Sequence, residues 1–195
     1  TCQVYMQNMK SIFMDMVRNA DMVVFNRSKK EYPLANFRRS IKVVNPSAEV
    51  IFEDEEGEMT DIFADQMPFD LDAEIVDIPP EDYGIWFVDA MDHPDRYVGK
   101  TLRFKARARR PRGMGSKFFI PGRTAMTCCA DDTTFLGYVC KSAYAPKLTP
   151  GEWVEVTAKV GIEKRNEYQG EEGIVLSAEH VEQCDPLEDE MVYFN

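Results

Sequence analysis

The sequence predicts an α/β segment followed by an all-β module, a small five-stranded Greek-key barrel of the OB type. In the first 60 residues, helical apolar periods alternate with short continuous apolar runs, as helices and buried strands do in an α/β sheet. From residue 97 onward, short stretches of alternating apolar and polar residues are separated by turn residues, which is typical of a small barrel. We assign residues 1–80 to the α/β segment and residues 81–195 to the barrel domain.

The α/β segment begins with a helix over residues 4–20, where apolar residues recur at three- and four-residue steps. The apolar run at residues 21–26 predicts a strand buried on both faces of a parallel sheet. Pro33 suits the first turn of a second helix, which we expect to end near Asn45-Pro46. Residues 48–52 predict a second strand. Since two strands cannot bury a sheet, we expect this segment to be the tail of a larger one.

The barrel begins with a strand in which apolar residues alternate with basic residues, the period of one buried and one wet face. The alternating set is Leu102, Arg103, Phe104, Lys105, Ala106, Arg107, Ala108 and Arg109. Four further strands are predicted at residues 118–129, 135–143, 152–162 and 173–181. Residues 57–96 lack a regular period and are expected to connect the two modules, with one short strand at 73–78.

Charge is distributed unevenly along the 195 residues, whose formal net charge is −11. Residues 1–96 contain 9 Lys and Arg against 20 Asp and Glu, whereas residues 97–195 contain 14 of each. The acidic first part excludes a nucleic-acid-binding arm there, because phosphate binding requires clustered cations. Only the basic stretch from Arg103 to Lys117 has the charge to contact a polyanion.

The sequence offers neither a membrane span nor a disulfide framework. No stretch approaches the ~18 apolar residues of a membrane helix, so no membrane insertion is expected. The five scattered cysteines are too sparse for a stapled secreted domain, and we expect a reducing cytoplasm. Because the chain begins with Thr1 and a helical pattern follows at once, we expect it to be part of a longer protein.

Cys128 and Cys129, followed by Asp131 and Asp132, form the most chemically suggestive motif. Adjacent side chains in a regular strand point to opposite faces, so both thiols can reach one metal ion only if the strand breaks there. A turn at residues 131–134 would supply the break and would place Cys140 opposite Ala125. Cys140 would then lie roughly 10 Å along from Cys128, too far to share a zinc ion. The alternative is that these cysteines are structural, since buried thiols are common.

The basic strand has two interpretations. In the first, the strand binds single-stranded nucleic acid: its cations contact the phosphate backbone and aromatic residues of the same module stack on the bases. These cations are Arg103, Lys105, Arg107 and Arg109. Alternatively, the four cations only solvate the outer face while the aromatic residues fill the barrel. Alternation favours the second interpretation, because it puts Phe104 on the face opposite the cations.

No catalytic motif is found. Gly99-Lys100-Thr101 resembles the end of a phosphate-binding loop, but position 95, where the loop needs glycine, holds Asp95, and a strand follows instead of a helix. We therefore expect no nucleotide hydrolysis by these residues alone.

Residues 3–60 resemble the closing segment of a CobW-type metal-chaperone GTPase, through the helix, the run Ala20-Asp21-Met22-Val23-Val24-Phe25-Asn26 and the later Asn45-Pro46-Ser47-Ala48-Glu49-Val50. The resemblance implies the end of a P-loop GTPase-like sheet. It aligns Asn26 with the asparagine of the guanine-reading Asn-Lys-x-Asp sequence, as a vestigial nucleotide-binding residue, while Lys29 replaces the aspartate. The phosphate loop, and with it GTP binding, would require a segment upstream.

Residues 85–195 resemble the C-terminal domain of YcgQ-type permease-accessory proteins. The matching motifs are Tyr97-Val98-Gly99-Lys100, Cys128-Cys129-Ala130-Asp131 and the Trp153-Val154 strand. Both families are associated with divalent metals, most often zinc. The resemblances together imply a role in metal homeostasis, with the barrel as a metal-binding or docking module and a metal-dependent client protein or a permease as the partner. A purely structural protein-interaction domain is the remaining alternative.

Overall fold

The computed structural model describes residues 4, 8–59, 67–127 and 132–194. The chain divides into two compact units. The α/β unit comprises Thr1–Gln66, Ala125–Thr134 and Tyr193–Asn195, and the barrel unit comprises Met67–Thr124 and Phe135–Val192. The boundary that the sequence analysis places after residue 80 stays a prediction.

The α/β unit contains helix α1 (Lys10–Val17), strand β1 (Met22–Phe25), helix α2 (Leu34–Val44) and strand β2 (Glu49–Phe52). The two strands pair in parallel, with Met22 opposite Glu49 and Phe25 opposite Phe52. The predicted order of helix and strand is therefore confirmed. The described residues give this sheet two strands and do not establish a P-loop GTPase fold.

Aromatic stacking holds the core of this unit together. The ring of Phe25 lies 4.8 Å from that of Phe52 and 6.1 Å from that of Phe37, and Met14 of α1 is fully buried in the same cluster. The Asn45 side-chain amide donates to the carbonyls of Val17 (2.9 Å) and Ala20 (2.8 Å). These bonds satisfy carbonyl groups at and beyond the end of α1, which helix geometry leaves unpaired.

The barrel unit is built on strands β4 (Thr101–Arg109), β5 (Phe118–Met126), β7 (Val139–Lys141), β8 (Trp153–Lys164) and β9 (Glu172–Gln183). Strand β4 pairs antiparallel with both β5 and β8, β7 pairs antiparallel with β5 and parallel with β9, and β8 pairs antiparallel with β9. The five strands thus close on themselves, in an order consistent with an OB-type Greek key. Three short strands extend the sheet: β3 (Ile75–Asp77), β6 (Thr133–Gly137) and β10 (Met191–Val192).

Helix α3 (Tyr83–Asp92) contributes large side chains to the barrel core. Trp86 is almost fully buried, and its ring lies 4.9 Å from that of Phe104 and 5.7 Å from that of Tyr138. The Tyr83 hydroxyl donates to the Leu136 carbonyl (3.1 Å), and the Tyr138 hydroxyl donates to the Phe87 carbonyl (2.6 Å). The helix is therefore fixed to the barrel by both apolar packing and hydrogen bonds.

Two glycines allow β5 and β6 to approach closely. A Cβ atom on Gly122 would overlap the Leu136 carbonyl oxygen and lie 2.6 Å from the ring of Phe135, and one on Gly137 would lie 2.6 Å from the Pro121 carbonyl oxygen. Because the first obstacle is backbone, it cannot move aside as a flexible side chain would. The pair Gly122 and Gly137 thus fixes how the two strands face each other.

We expect Gly122→Ala to lower the free energy of unfolding by about 2–3 kcal/mol, as overpacking typically does. The measurement is urea denaturation followed by tryptophan fluorescence. Gly161→Ala is the matched control, since its added Cβ would have its nearest contact at 3.7 Å. Equal stability of the two variants would contradict the close approach.

Candidate functional site

The hairpin of β5 and β6 closes three residues earlier than the sequence suggests. The backbone N–H and the hydroxyl of Thr127 both donate to the Asp132 carbonyl, at 3.1 and 2.9 Å, and Phe119 lies opposite Cys140. The predicted register, with Cys140 opposite Ala125, is wrong because residues 131–134 are not the centre of the turn: β6 already begins at Thr133.

The predicted metal ligands Cys128, Cys129 and Asp131 lie outside the described residues, between the bonded pair Thr127 and Asp132. Asp132 itself is described, and its carboxylate lies 3.4 Å from the Arg18 guanidinium. Both side chains are partly exposed, so this pair stabilises the fold by less than about 1 kcal/mol. The structure therefore describes one of the four predicted metal ligands.

The described cysteines do not add a metal ligand. Cys140 is completely buried, and burial raises the pKa of its thiol to about 12, so it stays protonated at neutral pH. With Phe119 opposite, it lies roughly 23 Å along β5 from Met126, the last residue of that strand. In the described parts of the chain, no three His, Cys, Asp or Glu side chains are grouped to hold a metal ion.

The cations of β4 contact neighbouring carboxylates, a carbonyl group and an aromatic ring. Arg103 forms two bonds with the Asp77 carboxylate, at 2.5 and 2.7 Å, and Arg107 donates to Glu190 (3.3 Å) and to the Gly151 carbonyl (3.1 Å). Lys105 lies opposite Glu155 in the strand register. The Arg109 guanidinium lies 3.8 Å from the centre of the Phe135 ring. The four predicted nucleic-acid contacts thus lie on one face, largely neutralised or stacked.

The other face of β4 is the barrel interior, as alternation predicts. Leu102, Phe104, Ala106 and Ala108 are all buried. Trp153, Tyr138 and Phe119 are buried as well, so they are not open to stack on bases. Asn26, which the sequence analysis predicts to be a vestigial nucleotide-binding residue, is exposed in the turn that follows β1.

A cavity of about 540 Å³ lies between the loop joining β4 to β5 and the loop joining β8 to β9. Its charged lining residues are Arg112 of the first loop, Lys164 at the end of β8, and Arg165 and Glu167 of the second loop. We name it the loop cavity. Periodicity does not reveal it, because loops have no period. Loop charge was the available signal: Arg110, Arg112 and Lys117 occur in a loop without a carboxylate.

Arg123 of β5 is an unusual buried cation with 2% exposure. Its guanidinium donates to the carbonyls of Pro80, Asp189 (3.0 Å) and Met191 (3.0 Å), while its Nε atom has no partner among the described residues. Burial lowers the pKa of this guanidinium from its ordinary value. The side chain joins β5 to two other segments of the barrel unit, one at Pro80 and one at residues 189–191, by hydrogen bonds to carbonyl oxygens.

The strand order defines the second unit as a small closed β-barrel, consistent with the OB type. A family model described as the DUF1980 C-terminal domain matches residues 55–194, which is more than half of the chain. The chain therefore belongs to this family, a YcgQ-like family, and the predicted resemblance of the second module is confirmed at this level.

Solved structures of the mitochondrial single-stranded DNA binding protein Rim1 from S. cerevisiae show a distant likeness. One crystal form of the selenomethionine-labelled protein is 11% identical, covers 43% of this chain and 93% of its own, and gives a TM-score of 0.26. The unlabelled protein is 9% identical, covers 46% and 97%, and gives 0.27. TM-scores this low do not establish a common fold. No curated protein matches the chain.

The first module receives no comparable support. The family match begins at residue 55, after most of the segment that resembles CobW-type GTPases, and it gives no evidence for a CobW-type GTPase. Within the described residues, no helix combines the length and apolar character needed to cross a bilayer.

Proposed function

We propose that this chain is a metal-binding and docking module in divalent-metal homeostasis, with zinc as the first candidate ion. Cys128 and Cys129 would bind the metal as thiolates, and Asp131 and Asp132 would supply carboxylate oxygens. Four such ligands match the tetrahedral coordination that zinc adopts in closed sites. A reducing cytoplasm would keep both thiols available for the metal.

One observation supports this proposal above the others: β5 ends at Met126, before the two thiols. In a continuing strand, adjacent thiols would point to opposite faces and could not share an ion. Thr127 is hydrogen-bonded to Asp132, and only four residues connect them. Each of the four is therefore at most two residues, roughly 7 Å of chain, from Thr127 or from Asp132. Donors in so short a connection can converge on one ion.

The contact between Arg18 and Asp132 is compatible with metal binding. The two side chains are 46% and 33% exposed, so solvent weakens their attraction and a metal ion can compete for the carboxylate. Asp131 and Asp132 thus remain candidate oxygen ligands. The partner would be a metal-dependent client protein or a permease that receives or supplies the ion.

The likeness of residues 3–60 to CobW-type GTPases fits a role in metal delivery. GTP would bind only where a phosphate-binding loop precedes this segment, and we assign no enzymatic activity to residues 1–195 themselves. Metal binding by the thiols does not require that nucleotide site.

Binding of single-stranded nucleic acid through Arg103, Lys105, Arg107 and Arg109 is the weaker alternative. Arg103 and Arg107 are paired with carboxylates, and Lys105 lies opposite Glu155. Such binding would fall steeply with salt, because counterions are released when cations meet phosphates. Absence of oligonucleotide binding at low ionic strength excludes it.

Zinc content of the purified chain tests the metal proposal. We expect about one zinc ion per chain, as a single closed site requires, and loss of that zinc in the double variant Cys128→Ser, Cys129→Ser. The readout is metal analysis by mass spectrometry after dialysis. Cys184→Ser is the matched control, since Cys184 lies outside the hairpin and should leave zinc content unchanged. Equally low zinc in the native chain and the double variant would remove the proposal.

A further inference from the structure

We infer that the loop cavity is a binding site for a small phosphate-bearing ligand, about the size of a nucleotide. This site is separate from the proposed metal ligands, because its lining residues come from residues 111–115 and 164–167 of the barrel unit. Its volume of about 540 Å³ falls within the range of about 300–1,000 Å³ that small-molecule sites occupy.

Two cations that form no ion pair are the first observation that supports a phosphate ligand. The cavity is lined by three cations and one carboxylate, and that carboxylate, Glu167, is bound to Arg165 at 3.0 and 3.1 Å. Arg112 and Lys164 form no ion pair in the described part of the chain. Lys164 lies opposite Glu172 in the register of β8 and β9, and a second carboxylate, that of Glu163, lies 3.9 Å from Arg165. Two exposed cations facing one cavity attract an anion of about two charges.

The pairing of Arg165 shows that the cavity wall is organised. Its guanidinium lies 3.9 Å from the centre of the Phe118 ring while it holds Glu167, so the second loop is joined to the start of β5. The hydrogen bonds from Arg165 lower the pKa of Glu167, so the Glu167 carboxylate stays ionised at neutral pH. This arrangement leaves Arg112 and Lys164 as the cations available to a ligand.

The first loop is also ordered by its own bonds. Met114 N donates to the Pro111 carbonyl (3.3 Å), with Gly113 between them at φ +86°, the conformation that favours glycine in such a turn. Arg110 donates to the Ser116 carbonyl (3.3 Å) and closes the loop base. A Cβ on Gly113 would meet nothing within 4 Å, so its backbone borders open space. A ligand can approach this backbone closely.

Two features favour a small ligand over a nucleic-acid strand. The rings of Phe118 and Phe135, which lie beside the basic residues, are covered by Arg165 and Arg109 and do not offer an open surface for bases. Of the β4 cations that would extend the contact along a nucleic-acid strand, Arg103 and Arg107 are paired with carboxylates. The free positive charge is therefore local, which suits a compact anion.

Calorimetric titration of the full chain with inorganic triphosphate at low ionic strength tests the assignment. We expect binding that weakens with salt and that falls at least about tenfold in the variant Arg112→Gln, Lys164→Gln, because each change removes a charge-assisted contact. The variant Lys147→Gln, Lys159→Gln removes the same charge elsewhere on the barrel unit and should bind as the native chain does.

Three outcomes would overturn the assignment. These are no binding of triphosphate by the native chain, equal weakening in both double variants, and a twelve-nucleotide thymidine strand that binds more tightly than triphosphate. The last would mean that the phosphates of a nucleic-acid backbone are the ligand. Zinc content does not enter any of these measurements, so this test and that of the metal proposal fail independently.

Discussion

Replacing Arg123 by alanine is expected to lower the free energy of unfolding of the barrel unit by about 3–5 kcal/mol, because three part-buried hydrogen bonds from a charged donor are lost, at about 1.5–3 kcal/mol each. The carbonyls belong to Pro80 and to Asp189 and Met191, two segments that lie far apart along the chain. Water entering the vacated space would bond some of them, which is why the expected loss is below the full sum. Arg123 therefore stabilises the barrel even though burial of a cation is itself unfavourable.

The measurement is chemical denaturation followed by tryptophan fluorescence, since Trp86 and Trp153 both lie in the barrel unit. Arg123→Lys keeps the charge but replaces the planar guanidinium by one ammonium nitrogen, which cannot reach all three carbonyls at once. We therefore expect an intermediate loss of stability. Arg112→Ala is the matched control and should change stability by no more than about 0.5 kcal/mol, because its side chain is exposed. A change in Arg123→Ala as small as that control would refute the role of the buried guanidinium.

Replacing Trp86 by alanine is the second large effect, with an expected loss of about 3–5 kcal/mol for a buried tryptophan. The side chain is 1% exposed and contacts the rings of Tyr83, Phe104 and Tyr138. Its removal leaves a cavity between α3 and β4 that rigid neighbours cannot fill.

Near-ultraviolet circular dichroism and denaturation, followed by the remaining Trp153, provide the measurement. Trp86→Phe should lose less, since a smaller ring still fills part of the space. The indole Nε1 has no hydrogen-bond partner among the described residues, so phenylalanine sacrifices no hydrogen bond. Similar stability of the alanine and native proteins would contradict the packing of α3 in the barrel core.

The strands and helices with a regular period were predictable. Helix α2 was expected from Pro33 to Asn45 and spans Leu34–Val44, because one face carries Leu34, Phe37 and Ile41. Strand β4 was expected from its alternation, and the buried residues are the apolar ones. In both cases burial of one face imposes a period that the sequence records.

Helix α3 was missed because its apolar residues do not form a single stripe. Its buried residues do not follow the helical period, since two are adjacent and the others are two positions apart. They are Tyr83, Gly84, Trp86, Val88 and Ala90. A helix buried on most of its surface has no polar face to reveal its period.

The hairpin register was wrong because the residues after Ala130 have the composition of a turn, whereas the two cysteines before it do not. The better signal was the pair Gly122 and Gly137. At these two positions β5 and β6 approach so closely that neither residue has room for a side chain. The loop cavity and the buried Arg123 were not predictable, since both depend on residues that only the closed barrel brings together.

Cobalt(II) titration most directly tests the central claim that the vicinal thiols bind a divalent metal, because thiolate coordination gives an intense sulfur-to-cobalt charge-transfer absorption. We predict a band that saturates at about one ion per chain, that zinc displaces and that is absent in the variant Cys128→Ser, Cys129→Ser. A native chain without this band, or a double variant that retains it, would contradict the claim.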